Sequence, residues 1–254
     1  MLPLNAWLNN VSLQGLDGRI LVQNIPDYAP QTELLYGDNP GRSGQRWLAR
    51  RRVNRRVSVV FAIRELRDLA ARAAILDRVN GWAQDGVLQI SNRPGQQLRV
   101  LCAGRAAMMT PRDYREEFTI DFDAAASPFW EDRVAQMLRL TGTGGSGSIL
   151  NRGTADALAA VTVTPTGGTL QTLTITLGAH HFALSGLNVA QGVPLLIGYD
   201  ERGYLYIKTS AASLLACRSD QSTDDLMAAP GYNEVSFTAS TACQVETEVR
   251  GTWL

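Results

Sequence analysis

Five arginines, Arg50, Arg51, Arg52, Arg55 and Arg56, stand within seven positions, and no acid lies between Arg42 and Arg56. Planar guanidinium groups pair bidentately with carboxylates and phosphates, so such a run could bind either. Nucleic-acid binding predicts more than this chain offers: no aromatic platform interleaves with the arginines, no binding motif accompanies them, and the formal net charge is zero. On a strand, alternate arginines face alternate sides. The reading is therefore pairing with acids on neighbouring strands, Asp121 and Asp123, or with another subunit. Other groups carry less. His180 and His181 are the only histidines; adjacent strand residues point to opposite faces and are poorly placed to chelate one metal. Without a further histidine, Ser-His-Asp and Cys-His mechanisms lack their base. The carboxylate pairs Glu116-Glu117, Asp200-Glu201 and Asp224-Asp225 fall at turns or solvated edges, whereas glycosidase chemistry needs two acids converging on one cleft. GTGGSG, from Gly142 to Gly147, lacks the Lys-Ser/Thr ending and the strand-helix setting of a phosphate loop. Cys102, Cys217 and Cys243 are far apart, no CxxC occurs, and Cys102 in the apolar run LRVLCAG reads as a buried, inert thiol. These patterns predict a chain that is not an enzyme and uses no cofactor and no metal.

The elements that position these residues follow from periodicity. Val57, Val59, Phe61 and Ile63 alternate with smaller residues, marking a strand. Leu66, Leu69, Ala73, Leu76 and Val79 recur at spacings of three and four, marking a helix that stops at Asn80-Gly81. Asp68 stands four residues from both Arg64 and Arg72, a spacing suited to charge pairs on the helix surface. Strands are expected at 6–13 and 18–22, joined by a hairpin at Asp17-Gly18, and again at 86–90, 98–103 and 114–123. The segment 24–47, rich in Pro, Gly, Asn and Ser, reads as an extended arm or hairpin. The glycine- and serine-rich stretch 141–154 reads as a flexible linker or a hairpin turn between domains. Beyond it, short alternating runs at 160–164, 172–177, 181–184, 194–199, 204–208, 234–238 and 244–250, separated by Gly and Asp turns, predict an antiparallel sandwich, with a short helical turn at 224–227.

Composition agrees with two domains. Residues 1–150 carry 19 arginines against 15 acids, a balance of +4, and residues 151–254 carry the opposite balance of −4. Lys208 is the only lysine. The beginning of the chain lacks the basic start and apolar stretch of a signal peptide, and no run reaches 18 apolar residues, so a reducing cytoplasm and no membrane span are expected.

Taken in order, several of these features resemble the distal tail protein (Dit) family of long-tailed bacteriophages and prophages. They are the early strand pair with Gly18-Arg19-Ile20, and the arm Pro40-Gly41-Arg42-Ser43-Gly44 leading to Arg52, Arg56 and VSVVFAI. The helix towards Trp82 and FTIDFDAA followed by Pro128-Phe129-Trp130 come next. Last are Gly192, LLIGYD, Asp224-Asp225-Leu226 and Ala229-Pro230-Gly231-Tyr232-Asn233 feeding the strand to Phe237. The resemblance implies a mainly β chain. An N-terminal antiparallel sandwich or barrel-like domain with one helix (1–140, arm 24–47) would precede a galectin-like β-sandwich (155–254). It further implies a structural virion protein: a hexameric ring at the tail tip, assembled in the host bacterial cytoplasm, joining the tail tube protein to the tip or hub protein. In some phages the ring also carries receptor-binding proteins. Membrane and specific nucleic acid are not expected partners. Under this resemblance Arg50, Arg52, Arg55 and Arg56 become subunit-interface or channel-rim charges. The alternative is a carbohydrate-binding module for the host cell surface. A sugar site needs a strand-borne aromatic with polar neighbours, and Tyr204 and Tyr206, with Tyr199 beside them, are the candidates. The fold alone does not decide for sugar.

Overall fold

The computed structural model describes residues 3–38, 43, 45–64, 68–107, 117–125, 127–200 and 203–254. The chain divides into two compact units, Met1–Trp130 and Glu131–Leu254. Among the described residues the pairings along the main path of each sheet are antiparallel.

The first unit holds β1 (Ala6–Leu8), β2 (Val11–Ser12), β3 (Ile20–Asn24), β4 (Thr32–Asp38), β5 (Gln45–Arg52), β6 (Arg56–Ile63), helix α1 (Leu69–Trp82), β7 (Gly86–Ile90), β8 (Gln96–Gly104) and β9 (Glu117–Ala124). Seven of the strands form one sheet in the order β2-β1-β7-β8-β9-β6-β3. Strict alternation puts Val57, Val59, Phe61 and Ile63 of β6, with Phe118, Ile120 and Phe122 of β9, on one buried face. Phe61 and Phe118 stack at 5.4 Å between ring centroids. Helix α1 covers this face. Its buried stripe is Arg72, Ile75, Leu76, Val79 and Trp82, and Trp82 meets Phe122 edge-on at 6.1 Å.

Four expectations change here. The predicted stripe is shifted at its start: Leu76 and Val79 are buried as expected, but Leu69 is 43% exposed, Leu66 lies outside the described residues, and the buried stripe begins at Arg72. The Arg72 guanidinium stays apolar-compatible by lying 5.3 Å from the Phe118 ring. Asp68 is the N-cap, its carboxylate accepting the Ala70 N–H at 2.9 Å. The hairpin expected at Asp17-Gly18 is absent, because β1 already turns back at Asn9-Asn10, both with positive φ (51° and 67°). Asn tolerates that region, so this dipeptide turns the chain as a glycine pair would. Finally, Cys102 is half-buried; Cys243 is the buried cysteine, and burial pushes its thiol pKa up.

The second unit follows β10 (Trp130–Asp132). It holds β11 (Gln136–Asn151), β12 (Ala157–Pro165), β13 (Leu173–Leu177), β14 (His180–Leu184), β15 (Leu195–Tyr199), β16 (Leu205–Lys208), β17 (Met227–Ala228), β18 (Gly231–Val249) and β19 (Thr252–Trp253). The linker expected at 141–154 is instead mostly strand. Residues 136–151 pair with β18 from Gln136↔Val249 to Asn151↔Gly231, broken by one irregularity between Gly142 and Gly144. Glycine there serves a bend rather than flexibility: a Cβ on Gly144 would lie 3.2 Å from the Phe237 carbonyl oxygen. The two strands expected at 234–238 and 244–250 are likewise one long strand. β18 pairs with β13 through residues 235–239 and with β12 through 243–249. It thus changes partner at its bend and belongs to both layers of a sandwich. One apolar core lies between them, including Val161, Ile175, Phe182, Ile197, Phe237 and Val245. No helix forms at 224–227; a single 3-10 turn sits at Leu215–Cys217.

The Pro-Gly-x-Asn turn has a physical explanation. Gly231 has φ +95°. The buried Asn233 side chain accepts the Ala229 N–H at 2.9 Å and donates to the Ala229 and Gly231 carbonyls at 2.7 and 3.0 Å. The asparagine therefore staples the turn that launches β18.

Candidate functional site

The arginine run occupies the end of β5, a three-residue passage and the start of β6, so its members have different surroundings. β4 and β5 form a ribbon of their own, hydrogen-bonded to no other strand. Tyr36 stands opposite Trp47 and Leu34 opposite Arg50, with an irregularity between Leu35 and Tyr36. Leu34, Tyr36, Trp47 and Leu48 are 47%, 50%, 59% and 56% exposed, an apolar surface that the unit leaves uncovered. Arg51 faces Glu33 across the ribbon at 2.6 Å. The expected arm is thus a hairpin; residues 39–42 and 44 at its tip lie outside the described residues, as does the side chain of Arg50.

Arg52 lies with its guanidinium 5.8 Å from the Phe129 ring. Arg56 binds Asp123 on β9 with two bonds, Nε–Oδ1 at 2.8 Å and Nη2–Oδ2 at 3.1 Å. This is the cross-strand pairing expected from the alternation. The hydrogen bond from Arg56 holds the Asp123 carboxyl below its ordinary value, and Asp123 raises Arg56 in turn. Ser58 donates to the neighbouring Asp121 at 2.6 Å.

Arg55 differs from the others. Its side chain has no solvent exposure, so it cannot itself be a rim or interface charge. Nε donates to the Tyr28 carbonyl at 3.2 Å and lies 3.4 Å from Asp27 Oδ1. Burial lowers its pKa, and Asp27 acts in the opposite direction. Asp27 is shared: Oδ2 accepts from Arg93 Nε at 2.7 Å and from the indole N–H of Trp130 at 3.1 Å. Arg93 also lies over the Trp130 ring at 5.4 Å. Asp27 and Arg93 carried no signal for this cluster in sequence, and Trp130 entered only as the end of the Pro128-Phe129-Trp130 motif. They stand 28, 38 and 75 positions from Arg55, and only the packed sheet brings them together.

In the second unit, Tyr204 is 69% exposed. Tyr206 has Lys208 Nζ 4.4 Å from its ring centroid, and its hydroxyl end lies against Gly198. The two candidates for a glycan platform therefore differ in what their rings can offer. The Tyr199 hydroxyl is structural: it accepts the Leu226 N–H at 2.7 Å, and burial pushes its pKa up to about 12. His180 and His181 are both half-buried on β14. Among the described residues no cluster of His, Cys, Asp and Glu could hold a metal ion, and no helix is long and apolar enough to cross a membrane. Glu116 and Glu201 lie outside the described residues. Asp224 lies 3.8 Å from Arg218, which pairs it with a cation rather than a second acid.

No family model and no curated protein matches the sequence. Solved structures do match over the full length. The chain superposes on the Dit (gp 19.1) protein of phage SPP1, described as a paradigm of the hub adsorption apparatus in phages infecting Gram-positive bacteria. That match has a TM-score of 0.69 at 12% identity and covers 97% of this chain and 98% of the other. A chain of the phage P2 baseplate, in its activated conformation with calcium, matches with a TM-score of 0.50 at 7% identity, over 98% of both chains. This chain has the Dit-type fold.

Proposed function

We propose that the protein is a structural component of a phage or prophage tail, a Dit-type hub at the tail tip. In this reading copies of the first unit close into a hexameric ring that joins the tail tube protein to the tip or hub protein. Receptor-binding proteins are a further class of partner. The observation that carries the reading is the end-to-end match to the SPP1 Dit protein, which takes in both units and leaves almost none of either chain unmatched.

The ribbon supports self-association. A two-stranded hairpin is marginal in water unless its face is covered. This one presents Leu34, Tyr36 and Trp47 to solvent, flanked by arginines. A protruding element that inserts into a different surface of the next copy makes a head-to-tail contact, and head-to-tail contacts close into rings. Arg52 and Arg56 sit at the root of the ribbon, where charge would meet that neighbour.

The test is the oligomeric state of the full chain. Size-exclusion chromatography with light scattering and negative-stain electron microscopy, at about 100 μM and with the cognate tail tube protein added, should show a ring. A monomer under both conditions overturns the reading.

A further inference from the structure

The buried cluster around Asp27 lies where the β4–β5 ribbon leaves the sheet. Backbone bonds guide both strands to that point: Ser58 N–H to the Pro26 carbonyl at 3.1 Å and Val53 N–H to the Gln31 carbonyl at 2.9 Å. Between them the backbone makes only an isolated bridge, Asp27 with Val57, and a bond from the Ala124 N–H to the Arg55 carbonyl at 2.8 Å, and side chains add to the hold. Asp27 precedes β4. Arg55 precedes β6. Arg93 comes from the turn between β7 and β8, and Trp130 is the last residue of the unit. Arg55 and Trp130 have no exposure at all, and the Asp27 side chain has 11%. One carboxylate thus holds two guanidinium groups and an indole at 2.7–3.4 Å.

A buried charge pair is a weak source of net stability, because desolvation offsets the Coulombic gain; its best-attested use is to fix one geometry against others. The sheet has no need of this cluster for its core, which is apolar throughout β6 and β9. Among the described residues the ribbon's own cross-strand ion pair, Arg51–Glu33, is exposed and is no anchor of comparable burial. We propose that Asp27, Arg55, Arg93 and Trp130 form a clasp that fixes the direction in which the β4–β5 ribbon leaves the sheet. Asp27 and Arg55 are then positioning residues: they touch no partner, and act by placing the apolar face of the ribbon. The clasp is a property of the single chain and stands whether or not the ring reading does.

Hydrogen–deuterium exchange of the full chain, followed by mass spectrometry, tests this. In the wild type, amides of 32–38 and 45–52 should be protected. Asp27→Asn keeps the shape and removes the charge that accepts from Arg93 and Trp130 and faces the Arg55 guanidinium. Ribbon amides should then exchange about tenfold faster, as expected when a hydrogen bond to a buried charge is lost. Peptides covering 56–63 and 117–124 should keep wild-type rates. The double variant Asp27→Asn/Arg55→Met replaces the buried pair by a neutral one of similar volume, and should keep the sheet folded with the ribbon still fast. An unprotected wild-type ribbon, an unchanged ribbon in both variants, or an equal loss of protection across sheet and ribbon overturns the clasp.

Discussion

At the scale of single residues, Arg55, just before β6, and Arg56, its first residue, show how neighbours decide a side chain's role. Arg56 points outward and meets Asp123; Arg55 points inward and is enclosed. Because Asp123 is held below its ordinary pKa, its contribution to stability is present above the unfolded carboxylate range. It is lost as pH falls through the lower, folded value. Replacing Arg56 by alanine should return the Asp123 titration, followed by carboxyl-resonance NMR, towards the ordinary value near about 3.9. Thermal stability at neutral pH should change little, since the pair is exposed and screened. The cap of α1 offers a larger effect. Asp68→Ala removes the acceptor for the Ala70 N–H and should cost about 1 kcal/mol in chemical denaturation. The Arg56–Asp123 pair was legible in the sequence because a period of two places arginines and acids on matching faces. The burial of Arg55 was not, because its acid sits in a loop before another strand, and no local pattern joins them.

At the scale of elements, alternation read from sequence located β6 and β9, since each buries one whole face against α1. Glycine-rich composition misled at 141–154, because glycine marks both a free linker and a strand that must bend or admit another backbone. Gly153 separates the two readings. In a linker it would accept any side chain. Here a Cβ would lie 2.0 Å from the Thr252 carbonyl oxygen, so Gly153→Ala should destabilise the second unit by about 2–4 kcal/mol in urea unfolding. The contrast is Gly81, in the last turn of α1 with nothing within 4 Å of its Cβ position. Gly81→Ala should stabilise the first unit by about 0.5–1 kcal/mol in the same measurement. The Asn9-Asn10 turn was hidden for the complementary reason: asparagine reaches positive φ without looking like a glycine turn. The long strands β11 and β18 were hidden because a bend resets the phase of their alternation, so that each half reads as a separate short strand.

At the scale of the whole molecule, the ribbon is the element whose surface the chain does not itself satisfy. Exchanging Tyr36 and Trp47 for serine should abolish ring formation by light scattering while leaving the thermal midpoint within a few degrees, because neither side chain belongs to a core. Reversing Arg52 and Arg56 to glutamate should weaken assembly with the same sparing of the fold. The pairing of β11 with β18 has a different kind of consequence. Gln136 is hydrogen-bonded in register with Val249, 113 positions later. The seven strands on the main path of the first unit's sheet, β2-β1-β7-β8-β9-β6-β3, are in contrast all present once Ala124 has been made. Synthesis by the ribosome proceeds at roughly 5–20 residues per second. The first unit can therefore close while the second is still being translated. The second must wait with β11 exposed until Val249 has been made, and its distant contacts then make closure slow. A stalled or prematurely terminated nascent chain would carry a finished first unit and an unpaired, sixteen-residue strand, the form of this protein most open to chaperones and to proteolysis.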